Sequence, residues 1–324
     1  MRAPDFWTRD GWTSRLLAPA SRGYACISAH RLRRSEPFHA ALPTICIGNI
    51  VAGGAGKTPL ALALGRHLRL RGHRPAFLSR GYAGRLTGPT RVDPGLHTAR
   101  DVGDEPLLLA VEGPAWIAHD RAAGARAIMA AEESDCILMD DGFQNPTLAK
   151  DLSFLAIDGG YGFGNGRVIP AGPLREPLAA GFARAQGIVL IGEDRTGLAE
   201  RLPPGLALFR AALRPEAPPA FGRVFAFAGI GRPEKFFETL AGTGAEIVGH
   251  RSFPDHHPYS GSEIEALRRE AKSLRARLIT TAKDAVRLPP PCRNEIETLP
   301  VVLRWTAPDT EANLDRLLNR IFSQ

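Results

Sequence analysis

The sequence predicts an α/β protein: a P-loop NTPase-like, mostly parallel sheet with helices on both faces, a smaller carboxyl-terminal α/β domain and an amphipathic amino-terminal helix. Three observations lead there. Residues 44–47 form a β-branched run that enters a glycine-rich turn and then a helical stretch. Apolar strands alternate with helical segments from residue 43 to 192, the pattern of βαβ units in a parallel sheet. Prolines at 203, 204, 215, 218 and 219 read as a linker, after which the alternation resumes on a smaller scale. The expected boundaries are 1–35 for the arm, 36–215 for a nucleotide-binding core and 216–324 for a smaller domain closing over the site.

Length and composition agree with two domains, or one large domain with an appendage. A chain of 324 residues is long enough for them, and 44% hydrophobic with 23% charged residues argues against disorder. The net charge of +7 permits acidic partners such as nucleotides, nucleic acid or an anionic membrane. Cys26, Cys46, Cys136 and Cys292 include no CxxC spacing, so neither a zinc site nor a disulfide framework is expected. No window offers the roughly 18 apolar residues of a membrane span, and the opening MRAPDFWTRD lacks the apolar core of a secretory signal. The expectation is a protein neither integral to a membrane nor secreted.

In the arm, Trp12, Leu16, Ala20 and Tyr24 recur every four residues, with Leu17 and Ile27 beside them. Arg9, Arg15, Arg22, Arg31, Arg33 and Arg34 supply positive charge, and Pro19 and Gly23 are expected to kink or split the helix. Such a segment suits either an anionic bilayer surface or packing on its own domain with solvated arginines.

The glycine-rich turn is the strongest chemical signal. Val51, Ala52, Gly53, Gly54, Ala55 and Gly56 can wrap their amides around phosphate oxygens. Lys57 can reach the terminal phosphates and the Thr58 hydroxyl can hold Mg²⁺, while Pro59 is tolerated in the first helical turn. Val51 stands where the GxxxxGK[ST] pattern has its first glycine. Downstream, an apolar run from residue 136 ends in Asp140 and Asp141. A buried strand delivering an acid to a metal has this form, and successive strand residues point to opposite faces, so either Asp can serve.

Other positions are more open. Asp104 opens a helix, where an Asp is most simply a cap. Arg175, in a Pro/Gly loop beside Glu176, suits either phosphate charge or a surface ion pair. His256 and His257 are adjacent, a poor chelate spacing, and residues 280–284 read as a strand-to-loop cluster.

Taken in order, GGAGKTP (53–59), SRGY (79–82), GDEP (103–106), DDGFQ (140–144), PAGPLREP (170–177), FPDHH (253–257) and TAKDAV (281–286) resemble the tetraacyldisaccharide 4'-kinases, the lipid A 4'-kinases of Gram-negative bacteria. The resemblance covers nearly the whole chain. It implies transfer of the γ-phosphate of ATP, with Mg²⁺, to the 4'-hydroxyl of an acylated glucosamine disaccharide 1-phosphate in lipid A biosynthesis. It further implies a peripheral enzyme at the cytoplasmic face of the inner membrane, docked there by the arm, with no nucleic acid or obligatory protein partner. Matched by motif, Asp104 is the implied catalytic base and His256 its partner, preferred over His257 because it directly follows Asp255. Lys57 and Arg175 are then expected to share the charge of the transferring group, with Mg²⁺ on Thr58 and Asp140 or Asp141.

The alternative is a P-loop GTPase or metallochaperone-type switch acting on a protein partner. Guanine recognition usually needs Asn-Lys-x-Asp, and residues 282–285 (AKDA) lack both the Asn and the placed Asp. A nucleic-acid-binding ATPase finds no aromatic-basic motif to support it.

Overall fold

The computed structural model describes residues 4–217 and 222–322. The strands, in chain order, are β1 (Thr44–Gly48), β2 (Pro75–Ser79), β3 (Thr90–Arg91), β4 (Ala115–Ile117), β5 (Cys136–Asp140), β6 (Leu152–Asp158), β7 (Gly187–Ile191), β8 (Ala207–Pro215), β9 (Arg223–Ala228), β10 (Glu246–Ser252), β11 (Arg277–Thr281), β12 (Glu297–Leu299) and β13 (Val301–Trp305). They form a nine-stranded sheet of order β13-β8-β7-β6-β1-β5-β2-β4-β3 and a four-stranded sheet of order β10-β9-β11-β12.

The larger sheet is parallel from β8 to β4, with β13 and β3 as antiparallel edges. Helices cover both faces, so its central strands are apolar without alternation: Ile45, Cys46 and Ile47 are all fully buried. One face packs the helices Lys57–Leu70 and Thr310–Phe322 through Leu60, Leu64, Leu314 and Leu318. The other packs the helix Arg121–Ala131 through Ala125 and Ile128. β1 lies between β5 and β6: the chain first runs from it toward β2, β4 and β3 on one side, and later crosses it from β5 to β6, β7 and β8 on the other. A crevice opens outside the carboxyl ends of β1, β5 and β6 at such a switch point.

Residues 301–322 depart from the expected layout. β13 pairs antiparallel with β8, and the closing helix buries Leu314 and Leu318 in the core of the larger sheet. β8 itself runs through the proline-rich stretch read as a linker, with Pro215 as its last residue. An apolar run such as Val301–Trp305 carries no mark of which sheet it joins. The smaller sheet is all parallel, and β10 and β12 complete it.

The arm forms two helices, Trp12–Leu16 and Ala18–Arg34, because Pro19 sits in the first turn of the second; Gly23 passes without a break. Its polar side faces inward. Asn165 Nδ2 donates to Ser14 Oγ at 3.0 Å, and Ser21 Oγ donates to the Val168 carbonyl at 2.7 Å. Trp12, Leu16, Tyr24 and Ile27 are left on the outside, 77%, 70%, 39% and 72% exposed. Among the described residues no helix is long and apolar enough to cross a membrane.

Candidate active site

The phosphate loop leaves β1 at Gly48 and is stitched to the 173–175 segment. Ala52 N–H donates to the Pro173 carbonyl and Arg175 N–H to the Ile50 carbonyl, both at 2.8 Å. Val51 thus lies in an antiparallel bridge opposite Leu174 and is 7% exposed. Extended, buried backbone suits a β-branched residue, which explains valine where the motif has glycine. Gly53 (φ +122°) and Gly56 (φ +82°) do need the left-handed region. Among the described residues, nothing beyond the chain neighbours lies within 4 Å of where a Cβ would stand on Gly53 or Gly54, so that face of the loop is open to phosphate. The helix Lys57–Leu70 begins directly behind it, aiming its amino-terminal dipole into the crevice.

The two carboxylates after β5 diverge. Asp140 is fully buried; its Oδ2 accepts from Thr58 Oγ1 at 3.0 Å, while Oδ1 has no hydrogen-bond partner among the described residues. Asp141 adopts φ +52° and turns to the cations, with Arg175 Nη1 at 3.1 Å and Lys57 Nζ at 3.8 Å. Burial pushes the Asp140 carboxyl up to about 7, helped by the charge of Glu105 and opposed by Lys57. For Asp141, burial also acts upward, but Lys57 and Arg175 outweigh it and hold the carboxyl below its ordinary value. A hydroxyl and a carboxylate with a free, buried oxygen suit a hard divalent cation such as Mg²⁺. Arg175 therefore faces the loop chemistry and not its neighbour Glu176, which pairs with Arg184.

Asp104 opens the helix Asp104–Glu112 after Gly103 (φ +87°), whose Cβ would stand 2.5 Å from the Tyr82 carbonyl. It is 3% exposed, yet its side chain does not simply cap the helix. Oδ2 lies 2.9 Å from His256 Nδ1 of the smaller domain, 3.3 Å from Arg287 Nε and 4.0 Å from Lys283 Nζ. Burial alone would raise this carboxyl; the His256 hydrogen bond and the charges of Lys283, His256 and Arg287 outweigh it and lower it. His257 turns away, with Nε2 2.9 Å from Glu263 Oε1 and its ring stacked on Phe253. Asp104, Glu105 and His256 converge closely enough to hold a cation. Lys283, 3.1 Å from Glu105 Oε1, already balances that negative charge.

The smaller domain sits on the carboxyl edge of the larger sheet. Asp158, the last residue of β6, accepts from Arg232 Nη1 at 2.8 Å and pairs with Lys235. A cleft of about 530 Å³ lies between the two, lined by Lys57, Thr58, Glu105, Asp255 and Lys283 among others. Nothing local in the sequence marks Asp158, Arg232, Lys235 or Arg287 as part of this site, and Lys283 reads there only as part of a strand-to-loop cluster. The TAKDAV string was the available signal, but its partners are about 180 residues away, as Lys283 and Glu105 show with a separation of 178.

A switch-point crevice, a glycine loop ahead of Lys57 and Thr58, and a buried acid beside that threonine define a P-loop kinase fold. More specifically, the chain belongs to the tetraacyldisaccharide-1-P 4'-kinase family, whose model matches residues 13–321. The tetraacyldisaccharide 4'-kinase of Rhodospirillum centenum is 53% identical over 100% of this chain and 97% of its own length. That of Gluconacetobacter diazotrophicus is 50% identical over 100% of both. The crystal structure of LpxK from Aquifex aeolicus in complex with ATP superposes with a TM-score of 0.74 at 26% identity, covering 95% of this chain and 99% of that one.

Proposed function

We propose that this protein is an ATP-dependent kinase that phosphorylates the 4'-hydroxyl of tetraacyldisaccharide 1-phosphate in lipid A biosynthesis. The observation that carries this reading is the Asp104–His256 contact, at 2.9 Å, whose chain neighbours Glu105 and Asp255 line the same cleft as the phosphate loop. A nucleotide switch needs no such buried, oriented carboxylate, whereas transfer to a sugar hydroxyl does.

Asp104, held ionised by its neighbours, accepts the 4'-hydroxyl proton as the oxygen bonds to the γ-phosphorus and the bond to ADP breaks. His256 Nδ1 fixes the orientation of that carboxylate. The amides of residues 51–56 cradle the phosphates, and Lys57 with Arg175 offsets the charge that spreads over the transferring group. Asp141 holds both cations in place when no phosphate is between them. Thr58 and Asp140 would hold Mg²⁺, whose chemistry is neutralisation of phosphate charge. Seating of the smaller domain over the cleft excludes water, the competing acceptor.

The enzyme works peripherally on the cytoplasmic face of the inner membrane, where an acylated substrate lies; the outward row of Trp12, Leu16, Tyr24 and Ile27, flanked by arginines, supports this reading. The test is transfer of ³²P from γ-labelled ATP to tetraacyldisaccharide 1-phosphate in detergent micelles. Labelled lipid from wild type and none from Lys57→Ala supports the reading. Free phosphate without labelled lipid makes the acceptor wrong and favours a switch.

A further inference from the structure

The TAKDAV segment ends against a residue that the reading of the reaction leaves idle. The side chain of Arg287 is 5% exposed and belongs to the smaller domain, with its Nε 3.3 Å from Asp104 Oδ2. Both terminal nitrogens donate to the Gly229 carbonyl at 2.9 Å. The same carbonyl accepts the backbone N–H of His256 at 3.2 Å. One guanidinium therefore touches Asp104 directly and fixes the backbone of His256 through a shared acceptor.

Arg287 is itself anchored. Asp284 Oδ1 accepts from Arg287 Nη2 at 3.0 Å, from Tyr259 Oη at 2.7 Å and from Gly229 N–H at 2.9 Å, and Asp284 is fully buried. Thr281 Oγ1 bonds the other oxygen of Asp284. The chain Tyr259–Asp284–Arg287 ties the core of the smaller domain to the base on the larger one. A planar guanidinium holds its donors in a fixed fork and so sets two acceptors at defined angles, which the freely rotating ammonium of a lysine does not.

We infer that Arg287 is a positioning residue for phosphoryl transfer, setting Asp104 and His256 in register with each other. This rests on the assignment of Asp104 as the base. The groups facing Asp104 are His256, Lys283 and Arg287 from the smaller domain and Glu105 on its own helix, with Asp255 beyond His256 and Lys283 and Asp284 behind Arg287. Without Arg287, Asp104 keeps one fewer cation and protonates at higher pH.

The test is steady-state lipid phosphorylation by the full chain. Arg287→Gln is expected to lower kcat roughly tenfold or more, with the KM for ATP within about threefold of wild type. Its acid limb of kcat moves to higher pH, and Arg287→Lys recovers part of both changes. In an Asp104→Asn background, Arg287→Gln has no further effect on residual kcat, because its route runs through Asp104. Equal losses in both backgrounds, or a wild-type kcat and pH profile in Arg287→Gln, overturn the inference. Should Arg287→Gln not fold, Arg287→Lys decides: an intermediate kcat with a shifted limb supports the inference, and a wild-type profile overturns it. A wild-type rate in Asp104→Asn instead overturns the reading of Asp104, and with it the ground for this one.

Discussion

His256 Nδ1 and Asp104 Oδ2 meet at 2.9 Å although 152 residues of chain separate them. The contact joins a loop after β10 to the first turn of a helix on the larger domain. His256 adopts φ +58°, a conformation that a side chain other than glycine rarely holds, and it carries the ring to Asp104 while His257 swings to Glu263. His256→Ala should therefore lower kcat by about a hundredfold with little change in the KM for ATP. His257→Ala should leave kcat within about twofold. Initial-rate measurements on both variants check this.

Asp140 fixes a stability trend of the protein free of nucleotide and divalent ions. Its folded-state pKa, about 7, is above the ordinary carboxyl value, so between the two the folded state binds a proton that the unfolded state lacks. Stability contributed at this site is present below the unfolded value and is lost as pH rises toward 7. Asp140→Asn removes the cost, so in EDTA the variant should gain on wild type as pH rises from 5 to 8. The gain should be on the order of 1–3 kcal/mol by urea denaturation, while catalysis is lost. A constant difference across that range contradicts the assignment.

Val51 should not be improved by restoring the motif's glycine. The residue is buried in an antiparallel bridge to Leu174. Val51→Gly is expected to destabilise the protein by about 1–3 kcal/mol and to leave ATP affinity no tighter. Gly56→Ala, at φ +82° with Ile191 Cδ1 2.8 Å from the new Cβ, should weaken ATP binding at least tenfold. Thermal melts and ATP titrations check both.

The outward side chains of the arm give a prediction of opposite kind. Trp12→Ser with Ile27→Ser removes apolar surface that is already exposed, so the melting temperature should stay within about 2 °C. Sedimentation with anionic lipid vesicles should fall several-fold. A large drop in stability would show instead that these side chains pack on the protein.

Local chemistry was legible in the sequence, and long-range assembly was not. The strand, glycine loop, Lys57, Thr58 and the paired acids could be read because each rests on neighbours within a few residues. That Asp104 is more than a cap came from resemblance to a family, since nothing near it in the chain distinguishes the two. Asp140 and Asp141 could not be separated, because φ +52° at Asp141, which sends it to Lys57 and Arg175, leaves no mark in the sequence. β13 was placed with the wrong sheet for a related reason: Val301–Trp305 is equally apolar wherever it pairs. Amphipathic spacing identified an apolar face on the arm and left open whether it points outward or onto the domain; the outward reading came from the resemblance, and Ser14 and Ser21, which face inward, carry no mark of it in the sequence.

The central claim is that Asp104 takes the proton from the lipid hydroxyl, and single-turnover transfer of ³²P from bound ATP to tetraacyldisaccharide 1-phosphate by Asp104→Asn tests it most directly. ATP should bind the variant with near wild-type affinity while the transfer rate falls by about 10²–10⁴-fold. A transfer rate within a few-fold of wild type, with ATP bound, would contradict the account.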